Sequence, residues 1–193
     1  MTDDRGFAGA SAYREARQAS GSRDRRDWRA GAVGESIVGQ LLAELDDRGV
    51  RAVHDRRVPG SLGNIDHIAV APTGVYVVDA KNYSGDPRVE AEPGADPTPR
   101  RLFIGPDDHT HLVHAVRNQV RVVLGALDEP AVPVRGVLCF VGAEWQVLNG
   151  YLIDGVGITS TDGLAALLAI PGPLDAERVD ALHQRLATAL EPA

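Results

Sequence analysis

The stretch VYVVDAKNYSG, residues 75–85, contains the only lysine of a chain that otherwise uses arginine, 19 times, for its positive side chains. Arginine is permanently protonated, planar and fork-shaped; lysine is a compact ammonium that can lose its proton. A lysine kept against such a bias points to a task that needs an ammonium. At period two, Asp79 and Lys81 project from the same face of a strand as Val75 and Val77. On the preceding strand Asp66 shares a face with Ile68 and Val70, and a hairpin can set Asp66 across from Asp79. Two carboxylates and an ammonium at the end of an apolar sheet are costly to desolvate, and a bound hard cation is one way to offset that cost. Phosphodiester hydrolysis needs an activated water, neutralised phosphoryl oxygens and a stabilised leaving oxygen, which metal-bound carboxylates and a lysine can supply. The plain alternative is an ion pair at a strand end, worth little.

The elements that must hold these residues can be read from the pattern. WRAGAVGESIVGQLLAELDDRG predicts an amphipathic helix with Val33, Ile37, Leu41 and Leu45 at helical spacing, widened by Val38 and Leu42. Glu35 borders that stripe, so its carboxylate needs a partner unless it faces solvent. RAVHDRRV, NIDHIAVA and GVYVVDAKN predict three strands, the last two joined through APTG as a hairpin over residues 64–82. A loop rich in Pro, Gly and Asp follows, with short strands at 88–91 and 101–104. A second helix is expected over 111–127, then a central strand in PVRGVLCFVG, short strands near Tyr151 and Val156, and two closing helices. The order predicts one α/β (α+β) domain, a mixed sheet flanked by helices. Residues 1–29 carry seven arginines against five acids and no sustained apolar period, and predict a mobile arm or a loosely attached helix before a domain spanning 30–193.

The formal net charge of −7 lowers the expectation of a protein that coats nucleic acid by bulk electrostatics, without excluding an enzyme that acts on it. No apolar run is long enough to span a membrane and the N-terminus lacks the order of a secretory signal, so a soluble, cytoplasmic protein is expected. Cys139 stands alone in an apolar run and reads as a buried small hydrophobe. His67 should face the side of the sheet opposite Asp66, and Asn82 and Tyr83 should support the turn and touch substrate. His109, His111 and His114 offer a zinc reading, weakened by the lack of a fourth ligand nearby.

Asp66 followed by Asp79-Ala80-Lys81 resembles the PD-(D/E)XK nuclease superfamily, with Ile65 where its name has proline. More narrowly, GAVGESIVGQLL, GNIDHIAVAPTGVYVVDAKNYSG and VRNQVRVVLGAL resemble the nuclease-related domain, NERD, over roughly residues 30–185. The resemblance implies a restriction-endonuclease-like core of helix, three strands, helix and strand, and a nuclease-like site dependent on Mg2+ or Mn2+. In that site Asp66 and Asp79 are implied metal ligands, Lys81 the catalytic lysine, Glu35 a further acid and Gln119 an accessory polar residue. It further implies nucleic acid as partner, DNA before RNA, and a helicase or other targeting partner. The alternative is a module that binds nucleic acid or protein on the same fold without turnover.

Overall fold

The computed structural model describes residues 6–18, 22–61, 63–91, 100–143, 145 and 150–193. Helices α1 (Ala10–Gln18) and α2 (Ser22–Glu44) precede a meander of β1 (Arg51–Arg57), β2 (Asn64–Ala71) and β3 (Gly74–Lys81). A small sheet of β4 (Pro87–Ala91), β5 (Arg100–Ile104) and β6 (Asp107–Asp108) leads to α3 (Thr110–Leu127). Then come β7 (Val134–Phe140), β8 (Tyr151–Ile153), β9 (Val156–Ser160), α4 (Thr161–Leu168) and α5 (Ala176–Ala189). The main sheet runs β1-β2-β3-β7-β9-β8; its first three strands are antiparallel, and β7 is parallel to β3 and β9.

The alternation of each strand sorts the core into layers. Ala69, Ala71, Tyr76, Val78 and Cys139 face α2 and α4, while Ile68, Val70, Val75 and Val77 face α3 and α5. The small sheet closes a third cluster with α3, Leu138, Phe140 and Ile158. β7, buried from Gly136 onwards and flanked on both sides by parallel partners, is the central strand its continuous apolar run predicts. Gly136 lets α3 lie close on it, since a Cβ there would meet Val116 Cγ1 at 2.5 Å. Gly74 closes the β2–β3 turn at φ +133° with the Pro133 carbonyl so near that a side chain has no room.

Two expectations need correction. α2 begins at Ser22 rather than Trp28, crossing the anticipated boundary between arm and domain. Its buried face is Ala32, Glu35, Val38, Leu42 and Leu45, whereas Val33 and Ile37 are 44% and 41% exposed. Each helical step turns by roughly 100°, so once Val38 points at the sheet, Ile37 and Val33 are carried to its flank. The stretch expected as an arm also contains α1. Ser11 donates to Asp55 through both its amide and its hydroxyl, each at 2.7 Å, and Ala8 packs against Gly39 of α2. Arg14 donates to the Ala193 carbonyl at 2.6 Å. The C-terminal residues pair along β1 through Arg57 N–H to Glu191 O and Ala193 N–H to Asp55 O, covering that edge of the sheet.

Cys139 is fully buried and burial pushes its thiol up to about 12, so the reactive thiolate is scarce at neutral pH. Native protein should therefore resist alkylation by iodoacetamide and label only when unfolded in guanidinium; rapid stoichiometric labelling of the native state contradicts this packing.

Candidate active site at the end of the β2–β3 hairpin

The pairing of β2 with β3 runs His67 to Val78 and Ile68 to Val77, which sets Asp66 across from Asp79 at the open end of the hairpin. Both are buried, at 8% and 4% exposure. Asp66 Oδ2 accepts the Ala80 amide at 3.0 Å, and the two carboxyl groups are close enough to share a hydrogen bond. Lys81 Nζ makes an ion pair with Asp79 and also donates to the Ala80 carbonyl at 3.3 Å. The strand alternation thus brings both acids and the single amine together.

Glu35 joins them from α2. It is 8% exposed, the Gly9 amide reaches its carboxylate, and Oε2 has no hydrogen-bond partner among the described residues. Burial first, then the charge of Asp55 and, more weakly, that of Asp79, raise its pKa from the ordinary 4.5 to about 7, against the lowering effect of Lys81. Burial and the neighbouring Asp79 also push Asp66 well above the carboxylate range. For Lys81, burial disfavours the ammonium, yet Asp79 and Asp66 outweigh it and hold its pKa above the ordinary value. The lysine is therefore a firmly charged donor while this cluster is intact.

Gln119 of α3 is half-buried at the same end of the sheet. Its amide nitrogen donates to the Asn64 carbonyl at 3.2 Å, and its buried oxygen has no partner among the described residues. It lies beside the start of β2, the strand that carries Asp66. His67 is on the opposite face, as its parity predicts. It is fully buried, its Nδ1 lies 2.8 Å from His54 Nδ1, and burial followed by the His54 charge lowers its pKa. Asn82 is exposed and ties the turn to α2 through the Ala30 carbonyl at 3.0 Å.

Asp55 is a member that the sequence pattern missed. It lies between the pairs His54–His67 and Arg56–Ile65, hence across from Asp66. Its φ of +53° is left-handed, which costs a non-glycine residue of order 1 kcal/mol or more and suits Asp better than most. The turn it imposes breaks the alternation of β1. His54 and Asp55 both reach the α1–α2 side, and Arg56 reaches the Leu190 carbonyl at the end of α5. Asp55 Oδ1 also accepts Asn64 Nδ2 at 2.6 Å, tying α1 to the strand that carries Asp66. The only hint in the sequence was the consecutive polar run HDRR inside a strand.

Asp66, Asp79 and the Ala80 carbonyl offer hard oxygen atoms of the kind that Mg2+ or Mn2+ takes, and Glu35 Oε2 is a further oxygen without a partner among the described residues. Among the described residues no three His, Cys, Asp or Glu side chains converge on one metal position, so backbone oxygen or water would complete the shell. The same finding covers His109, His111 and His114, which do not form a zinc cage with described neighbours.

A mixed sheet flanked by helices, with buried acids and a lysine at the hairpin end, defines a nuclease-like α/β domain. The chain belongs to the nuclease-related domain family, NERD, whose family model matches residues 30–141. A protein of Bacillus anthracis described as uncharacterized is 41% identical over 58 residues, which is 28% of this chain and 27% of that protein. The matched stretch thus spans about a quarter of that relative's length. No solved structure matches the chain. Among the described residues no helix is long and apolar enough to cross a membrane.

The raised pKa of Glu35 has a stability consequence. The native carboxyl holds its proton more tightly than the unfolded chain does. Stabilisation from this group is complete below about pH 4.5 and lost as the pH rises through about 7. In chelator, this group's contribution to stability should fall over that window by up to about 3 kcal/mol, and Glu35→Gln should lessen the slope, leaving the part that the raised Asp66 supplies. An unchanged slope in the variant contradicts the assignment.

Proposed function

We propose that the chain is a nuclease-like hydrolase of nucleic-acid phosphodiester bonds that depends on Mg2+ or Mn2+, with the site order of the PD-(D/E)XK superfamily. The observation that carries this reading is the pairing of Asp66 with Asp79 across the hairpin, with the Lys81 ammonium on Asp79. Asp66 and Asp79 would hold the cation, helped by the Ala80 carbonyl. When bound, such a cation lowers the pKa of a water and neutralises charge on phosphoryl oxygens. Lys81 gives up part of its hold on Asp79 to donate to a phosphoryl oxygen or to the attacking water. Glu35, titrating near neutrality, can take a proton from that water or return one to the leaving oxygen. Gln119, through Asn64, steadies the strand that presents Asp66. DNA is the favoured substrate over RNA, and a helicase or similar domain is the kind of partner that would target it.

The closed Lys81–Asp79 pair and the lack of three converging ligands among the described residues favour a second reading. In it the domain binds nucleic acid or protein without turnover.

The two separate in a cleavage assay on plasmid, linear duplex, single-stranded DNA and RNA. With Mg2+ or Mn2+ the wild type should cleave at least one of these, and chelator should stop it. Asp79→Ala and Lys81→Ala should each lower the rate by about 100-fold or more, with Lys81→Arg recovering little. Binding without cleavage supports the module; cleavage unchanged in both alanine variants rules out this site as its source.

A further inference from the structure

A row of rings leads away from Lys81. Phe140, its partner across β3 and β7, is 1% exposed and forms the inner end. Tyr83, two residues past Lys81, lies 6.2 Å from the Phe140 ring. His109 meets Tyr83 edge-on at 5.0 Å, and His111 follows at 5.8 Å with its plane tilted by 36°. Tyr83 and His109 are half-buried and His111 is exposed, so the row opens from the core to solvent. His109 Nδ1 is buried without a hydrogen-bond partner among the described residues. Packing alone explains Phe140. It accounts in part for Tyr83, which lies against the same core cluster, but not for two histidine rings continuing outward from it.

The charges around this row speak against a duplex. Binding a double helix draws on a track of basic side chains set against phosphates. Here Arg88 and Arg101 are each ion-paired with an acid, Glu90 and Asp108 respectively, on a chain of net charge −7. With little electrostatic grip, stacking must supply more of the affinity. In a duplex the base faces are already stacked on one another, and only an unpaired base can offer its face to a side chain.

We propose that Tyr83, His109 and His111 form a stacking platform for unpaired bases beside the scissile phosphate. The preferred substrate is then single-stranded nucleic acid or a single-stranded end. The proposal rests on the nuclease reading for the position of that phosphate, but base binding can be measured without cleavage.

The test is fluorescence anisotropy in chelator, with a labelled single-stranded oligonucleotide and a blunt hairpin duplex as probes. The wild type should bind the single strand more tightly than the duplex, with a shallow dependence on salt. Tyr83→Ala and His111→Ala should each weaken single-strand binding by about tenfold and leave duplex binding unchanged, while Tyr83→Phe binds as the wild type. His111 is exposed, so its variant reports even where Tyr83→Ala disturbs the loop. Wild-type affinity in both alanine variants, or tighter binding of the duplex, overturns the platform and leaves the hydrolytic reading standing. Failure of the wild type to bind either probe overturns the platform, and the cleavage assay with Mg2+ or Mn2+ then decides the hydrolytic reading separately. Weakened single-strand binding in the variants, with no cleavage by the wild type in Mg2+, supports the platform and removes only the hydrolysis.

Discussion

Asp66, Asp79 and Glu35, none more than 8% exposed, share the charge of one lysine at the end of β2 and β3. Burying like charges together is among the least favourable arrangements a fold can hold, and it persists only where geometry supplies partners. Here the partners are specific: the Ala80 amide for Asp66, the Gly9 amide for Glu35 and the ammonium for Asp79. Two of these partners are neighbours on β3 and the third lies before α1, so the site is complete only when the hairpin, α2 and the segment before α1 are all in place. The hairpin register is the first requirement, because a slip of one residue would send Asp66 or the Asp79–Lys81 pair to the other face.

The hydrophobic layers explain how the fold tolerates this. β2, β3 and β7 are apolar over most of their length, and α2, α3, α4 and α5 cover both faces. Their burial offsets the polar end, where the strands run out of covering side chains and backbone amides become available. Asp55 extends the same logic outward. Its left-handed backbone turns the acid toward α1, so Ser11 is linked through Asp55 and Asn64 to the Gln119 amide. The family match covers residues 30–141, and α1 lies outside it, yet α1 supplies part of the hydrogen bonding that holds these acids.

Much of this was legible in the sequence, for identifiable reasons. The apolar runs in NIDHIAVA and GVYVVDAK, with Pro72 and Gly74 about the turn, mark both strands, and the period of two in a strand then gives the face of each residue, His67 included. Asp66 and Asp79 could be set opposite one another because a tight turn leaves little freedom in register. The buried face of α2 was harder to read, since apolar residues occur on more than one side of it and only the sheet decides between them. Asp55 was hard to foresee because a positive φ at a non-glycine residue overrides period two, and the polar run HDRR does not say which of its residues turns. Tyr83 and His109 meet only after the excursion through β4, β5 and β6, a contact that local spacing does not encode.

The central claim is that Asp66 and Asp79 together form a cation position beside Lys81. Because the chain has a single lysine, protein labelled with 13C at lysine alone gives one side-chain Cε signal. Paramagnetic Mn2+ added to one equivalent should broaden that signal beyond detection in the native protein and leave it sharp when both aspartates are changed to asparagine. A Lys81 signal that stays sharp in the native protein through excess Mn2+ contradicts the account.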